Sequence, residues 1–135
     1  MLNLDTKIVK NFVIRIFFAN FAGKITIKML KFISFGSGSS GNSYYLYTET
    51  DSLLIDVGVG IRTLKKHFHN YGLRFEDVHH ILITHDHADH VKSVGSLSTD
   101  YHLPVYATRK VHAGIERNYC VRKKIVPNHA HIIEK

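Results

Sequence analysis

Residues 81–90 read ILITHDHADH, an apolar run that ends in three histidines and two aspartates within six positions. An unpaired charge is costly to bury, so these groups must be solvated, paired with one another or bound to a cation. Imidazole and carboxylate donors suit zinc, iron or manganese. His85 and His87 are two apart on an extended segment, where alternate side chains point the same way, so both can reach one ion. Asp89 and His90 follow where the chain turns into a helix, and they can point together at a second ion. Asp86 faces the other way in this alternation and is left out of the ligand set.

A cluster of this kind needs a scaffold, and the surrounding sequence reads as layered α/β structure. Residues 29–35, 43–49 and 52–58 are rich in aromatic and β-branched residues and predict strands, the last two forming a hairpin. The loop GSGSSGNS (36–43) joins the first pair. In 61–72, Ile61, Leu64, Phe68 and Tyr71 recur at helical spacing, and Gly72 stands where a helix stop belongs. Residues 79–84 predict a buried strand running into the histidine cluster. A helix over 89–101, a strand over 103–108, a helix over 109–120 and the start of a strand from 128 complete the pattern.

At 135 residues, 44% apolar and 21% charged, the chain suits one modest soluble domain. Of the net charge of +7, residues 1–28 supply Lys7, Lys10, Arg15, Lys24 and Lys28 against Asp5 alone. The rest is only mildly basic, which permits an anionic substrate such as nucleic acid without demanding one. The apolar stretch within 1–28 is interrupted by Arg15 and is too short to span a bilayer. It reads as an N-terminal extension, with folding beginning at Met29. The single cysteine, Cys120, excludes an internal disulfide, fits a reducing cytoplasm and is expected to be buried. The basic pairs Lys65–Lys66 and Arg109–Lys110 and the run Arg122–Lys123–Lys124 read as solvated helix faces.

THDHADH (84–90) resembles the His-x-His-x-Asp-His signature of the metallo-β-lactamase fold. LLIDVG (53–58) is similar to the family's preceding strand, which ends in an aspartate. FGSGSSGNSYYL (35–46) resembles the opening of the YycJ/WalJ-type subgroup, hydrolases associated with DNA exonuclease activity. The resemblance spans residues 29 to about 127. It implies that His85 and His87 bind one divalent ion and Asp89 and His90 a second, the ions being zinc, or else manganese or iron. It further implies that Asp89 orients the attacking hydroxide as the catalytic carboxylate, and that Asp56 supports the ligand loop through hydrogen bonds. Histidine at position 87, where a glutamate would mark the redox di-iron branch, favours hydrolysis. Ser39, Ser40, Asn42 and Ser43 are expected to meet substrate phosphate, with DNA as the substrate.

The family pattern also calls for a third histidine on the first ion, a bridging aspartate and a further histidine. Their usual places fall beyond Lys135. His129 and His131 alternate in NHAHII but match no family motif. The remaining histidines, His67, His69, His79, His80, His102 and His112, read as surface or core residues. The expectation is therefore the N-terminal half of an αββα sandwich, a truncated domain over 29–135, with uncovered apolar surface that favours self-association. The alternatives are a catalytically inactive metal-binding fragment and a hydrolase of another substrate class, such as a thioester or a lactam.

Overall fold

The computed structural model describes residues 29–134; the N-terminal extension expected over 1–28 lies outside them. Six strands form one sheet in sequence order: β1 (Lys31–Gly36), β2 (Ser43–Tyr47), β3 (Ser52–Val57), β4 (His80–Leu82), β5 (Val105–Ala107) and β6 (Ala130–Ile132). The first three are antiparallel, and from β3 onward every pairing is parallel. The expected hairpin is present: Tyr47 lies opposite Ser52, and the turn closes with Thr48 N–H donating to Asp51 O at 2.9 Å. β3 is buried along its whole length, as its near-continuous apolar run SLLIDV requires of a strand flanked on both sides.

Among the described residues four α-helices accompany the sheet: α1 (Ile61–Asn70), α2 (Ala88–Val91), α3 (Val94–Asp100) and α4 (Arg109–Arg117). Tyr45, Leu54, Ile81 and Val105, one from each of four neighbouring strands, share a core with Leu64 and Phe68 of α1, Leu97 of α3 and Ile115 of α4. Alternation turns Tyr44, Leu53, Ile55 and Leu82 to the opposite face, where they too are buried. α1 stops as its sequence predicts, with Gly72 at φ 68 and Leu73 N–H returning to Phe68 O at 2.9 Å. α4 opens with Thr108 as its cap, the hydroxyl accepting from Val111 N–H at 3.2 Å.

Four expectations need correction. The single helix over 89–101 is broken at Lys92–Ser93. Ser93 is drawn to β3, its N–H donating to Val57 O at 3.0 Å and its hydroxyl to Val59 O at 2.5 Å, which interrupts the helical path. The helix over 109–120 ends at Arg117, where Lys124 Nζ donates to Asn118 O at 2.8 Å just beyond the last turn. Cys120 is exposed, not buried, because it follows that helix end at the surface. Of the basic residues expected on solvated helix faces, Lys65–Lys66 and Arg109–Lys110 lie exposed on helices, whereas Arg122–Lys123–Lys124 lies beyond α4 outside any helix; Lys65 is 4.9 Å from the Tyr101 ring centre, and Lys123 pairs with Asp100 at 2.9 Å. Among the described residues no helix is long and apolar enough to cross a membrane.

Candidate metal centre

β3 and β4 run parallel, so their C-terminal ends emerge at the same rim of the sheet. The antiparallel β2 begins at that rim, with Ser43 opposite Val57. The glycine–serine loop, the end of β3 and the histidine-rich segment therefore meet in space although they lie far apart in sequence.

Asp56 joins them. It is 1% exposed, and its φ of 61° lies in the left-handed region, which costs a residue with a Cβ about 1–2 kcal/mol. Such a conformation persists where the surroundings over-determine it. Here Oδ1 accepts from Thr84 N–H at 2.8 Å, and Oδ2 accepts from the Thr84 hydroxyl at 2.5 Å and from His90 Nδ1 at 2.8 Å.

These bonds set the protons on two histidines. A carboxylate only accepts, so His90 carries a proton on Nδ1 and turns Nε2 away from Asp56. The Thr84 hydroxyl gives its own proton to Asp56, so its oxygen accepts from His85 Nδ1 at 2.8 Å. His85 thus also presents Nε2. The hydrogen bond to Asp56 raises the His90 pKa above its ordinary 6.5; burial opposes this, and the charges of Asp56 and Asp89 add to it.

Asp56, His85 and His90 offer ligand-type atoms all within 4.8 Å of one another, and the rings of His85 and His90 are 4.6 Å apart between centres. Both oxygens of Asp56 are already engaged, so its part is to orient, and the two imidazoles supply the donor nitrogens. Imidazole rings whose second nitrogen is fixed by an oxygen partner are the usual design around a divalent ion. This His/Asp group fits a divalent metal.

The other expected ligands differ in how firmly they are held. Asp89 places Oδ2 3.8 Å from His90 Nε2, with its side chain 34% exposed. His87 stands apart: its side chain is 77% exposed, its ring centre is 6.3 Å from that of His85, and Nε2 is 3.8 Å from Asp86 Oδ1. His129 and His131 are not brought to the site. His129 Nδ1 bonds Ser98 O at 3.0 Å, and His131 stacks on Tyr106 with ring centres 4.8 Å apart.

The structure divides the four loop residues expected at substrate. Ser39 and Ser40 are exposed, whereas Asn42 and Ser43 are buried. Ser43 lies inside β2 and offers no hydroxyl to the surface. Asn42 instead ties the loop to the metal segment. Its Oδ1 accepts from Gly38 N–H at 3.0 Å, and its Nδ2 donates to Gly38 O at 2.9 Å and to Asp89 O and Oδ2 at 3.2 and 3.3 Å. Its own N–H reaches Asp89 O at 2.8 Å, and its carbonyl accepts from Gly58 N–H at 2.8 Å. Gly58 permits this approach, since a Cβ there would lie 1.7 Å from Asp89 O. Residue type marked Asn42 as polar and next to the site; only the fold shows that it serves as a clasp. Thr84 was missed altogether, although its place directly before the first histidine was the available signal.

The chain has relatives among known proteins. The chain is 40% identical over 87 residues to exodeoxyribonuclease YycJ of Bacillus anthracis, covering 64% of this chain and 33% of that protein. It is 36% identical over 104 residues to exodeoxyribonuclease WalJ of Streptococcus pneumoniae serotype 2 (strain D39), covering 77% of this chain and 38% of that protein. The chain thus spans between about a third and two fifths of the length of these relatives. Among solved structures, a B3 metallo-β-lactamase with an active-site glutamic acid superposes with a TM-score of 0.62 at 17% identity, over 77% of this chain and 43% of that one. The architecture is therefore the metallo-β-lactamase fold, α/β with a mixed sheet, as the sequence resemblance implied. The family described as Anti-Pycsar protein Apyc1 matches residues 30–117, and the chain belongs to that family.

Proposed function

We propose that the chain forms the metal-binding part of a metal-dependent hydrolase that cleaves phosphodiesters, with DNA ends as its substrate. The observation that carries the reading is the pair of imidazoles at the strand rim, His85 and His90, each with Nδ1 engaged by an oxygen partner, the His90 Nε2 lying 3.4 Å from Asn42 Nδ2. The likeness to exodeoxyribonucleases supports nucleic acid as the substrate class.

In this reading His85 and His87 hold one divalent ion and Asp89 and His90 a second, with zinc the best match to the donor chemistry. Bound divalent ions supply Lewis acidity, activating water and polarising the bond under attack. The chain's own contribution is positional. Asp56 and Thr84 keep the ring protons on the nitrogens that face inward. Asn42 fixes the Asp89 main chain, so the carboxylate that orients the attacking water starts from a set backbone. Ser39 and Ser40, at the surface of the loop, offer hydroxyls to phosphate oxygens, and the neighbouring glycines let the backbone come close. A reducing, cytoplasmic setting suits a protein whose one thiol is exposed.

Two measurements test the reading. Elemental analysis of protein purified without chelator is expected to find divalent metal, largely lost in His90→Ala; a chain that takes up no zinc, manganese or iron removes the metal half. End-labelled DNA is expected to lose nucleotides to metal-loaded protein in which the remaining family ligands are also supplied, and Asp89→Asn to stop the release. Turnover of a thioester or lactam in preference to DNA would reassign the substrate class.

A further inference from the structure

Asp86 sits between His85 and His87, beyond the end of β4, and its side chain reaches α4 while Oδ1 stays 3.8 Å from His87 Nε2. Its Oδ2 lies against Gly114, where an added Cβ would come within 1.8 Å of that oxygen, 2.5 Å of Cγ and 2.6 Å of the Asp86 Cβ. Its main-chain carbonyl accepts from Asn118 Nδ2 at 2.9 Å. Asn118 is itself fixed, its Oδ1 accepting from Cys120 N–H at 2.9 Å and its carbonyl from Lys124 Nζ at 2.8 Å. Gly114 is buried in the body of the helix, where alanine has the better helix propensity. The helix gains nothing from a glycine at this position; the space it leaves is what Asp86 fills.

We propose that Gly114 and Asn118 form a socket on α4 that positions the His85–His87 segment through Asp86, making these three residues positioning residues for the metal centre. The inference rests on the reading of His85 and His87 as metal ligands. Asp86 is held by its side chain at Gly114 and by its carbonyl at Asn118. The turn carrying both histidines is therefore anchored from below, and α4 sets the spacing of their rings. His87, with most of its side chain in solvent, owes its position to this anchor more than to contacts of its own.

The test compares wild type, Gly114→Ala, the double variant Gly114→Ala/Asp86→Ala and Asn118→Ala. The first readout is the ring resonances of the histidines in the metal-free chain by ¹H–¹⁵N NMR. Gly114→Ala is expected to move the signals of His85 and His87 and to leave that of His90 in place. The second is zinc affinity by competition with a chromophoric chelator, expected to fall about 10-fold in Gly114→Ala, the lower end for residues that orient ligands, and to stay reduced in the double variant, which loses the Asp86 side chain and keeps the close approach at its Cβ. Asn118→Ala cuts only the carbonyl anchor and serves if Gly114→Ala does not fold; it should move the same two rings. Unmoved His85 and His87 signals in both variants would overturn the socket whatever the metal result. Absence of zinc binding in wild type would strike the functional reading alone.

Discussion

The two ends of the HDHADH segment are built to opposite standards. At one end His90 has 18% of its side chain exposed and is bonded to a buried carboxylate that also holds Thr84. Toward the other end His87 is 77% exposed, and its nearest ionic neighbour, Asp86, is 3.8 Å away. The buried end is preorganised by β3, through Asp56 and the backbone at Gly58. The exposed end depends on α4, through a side chain that is not itself a candidate ligand. Preorganisation thus follows the bonds to Asp56 and Thr84, which hold His90 and also the exposed His85. A metal arriving here would find His90 and His85 in place and would have to gather His87.

The difference can be broken most severely at Asp56. Asp56→Ala leaves two Thr84 donors and the His90 ring without their acceptor in a buried setting, and should cost about 3 kcal/mol of stability in urea unfolding. A loss below about 1 kcal/mol would mean that β3 does not organise the site.

Proton linkage sharpens the same contrast. The pKa of His90 is raised above 6.5 in the folded chain, so its protonated form favours folding. That contribution is complete below the ordinary imidazole value and is lost as pH rises through the raised one. The stability advantage of the metal-free wild type over His90→Gln should therefore shrink on going from mildly acid to alkaline pH. Metal uptake, which needs the neutral ring, should strengthen over the same range. A stability difference that does not change with pH would contradict the Asp56–His90 pairing. The smallest effect is expected at His87. Replacing a mostly solvated side chain by alanine should change the unfolding free energy of the metal-free chain by less than about 0.5 kcal/mol. In the reading proposed above it should nevertheless weaken metal binding, which a chelator competition would detect.

Much of this was legible in the amino-acid order, and the parts that were not share a cause. The strands, the hairpin and the end of α1 follow from local alternation, helical spacing and Gly72. The histidine cluster announced itself through residue type and spacing. The break at Ser93, the inward turn of Asn42 and the place of Thr84 depend on hydrogen bonds to β3 or to the metal segment, across long stretches of chain. A periodic pattern carries no record of such partners. Cys120 was misjudged for a related reason: thiols are usually buried, but here the chain leaves α4 at the surface and takes the cysteine with it.

The change from antiparallel to parallel pairing at β3 has a consequence for tolerance to alteration. It gathers Asn42, Asp56, Thr84 and the histidines on one rim of the sheet and sends the Thr48–Asp51 turn to the other. Chain added at that turn would lengthen the remote rim and leave the metal rim as it stands. One edge of the molecule is closed to editing, and the opposite edge is where new sequence can be grafted.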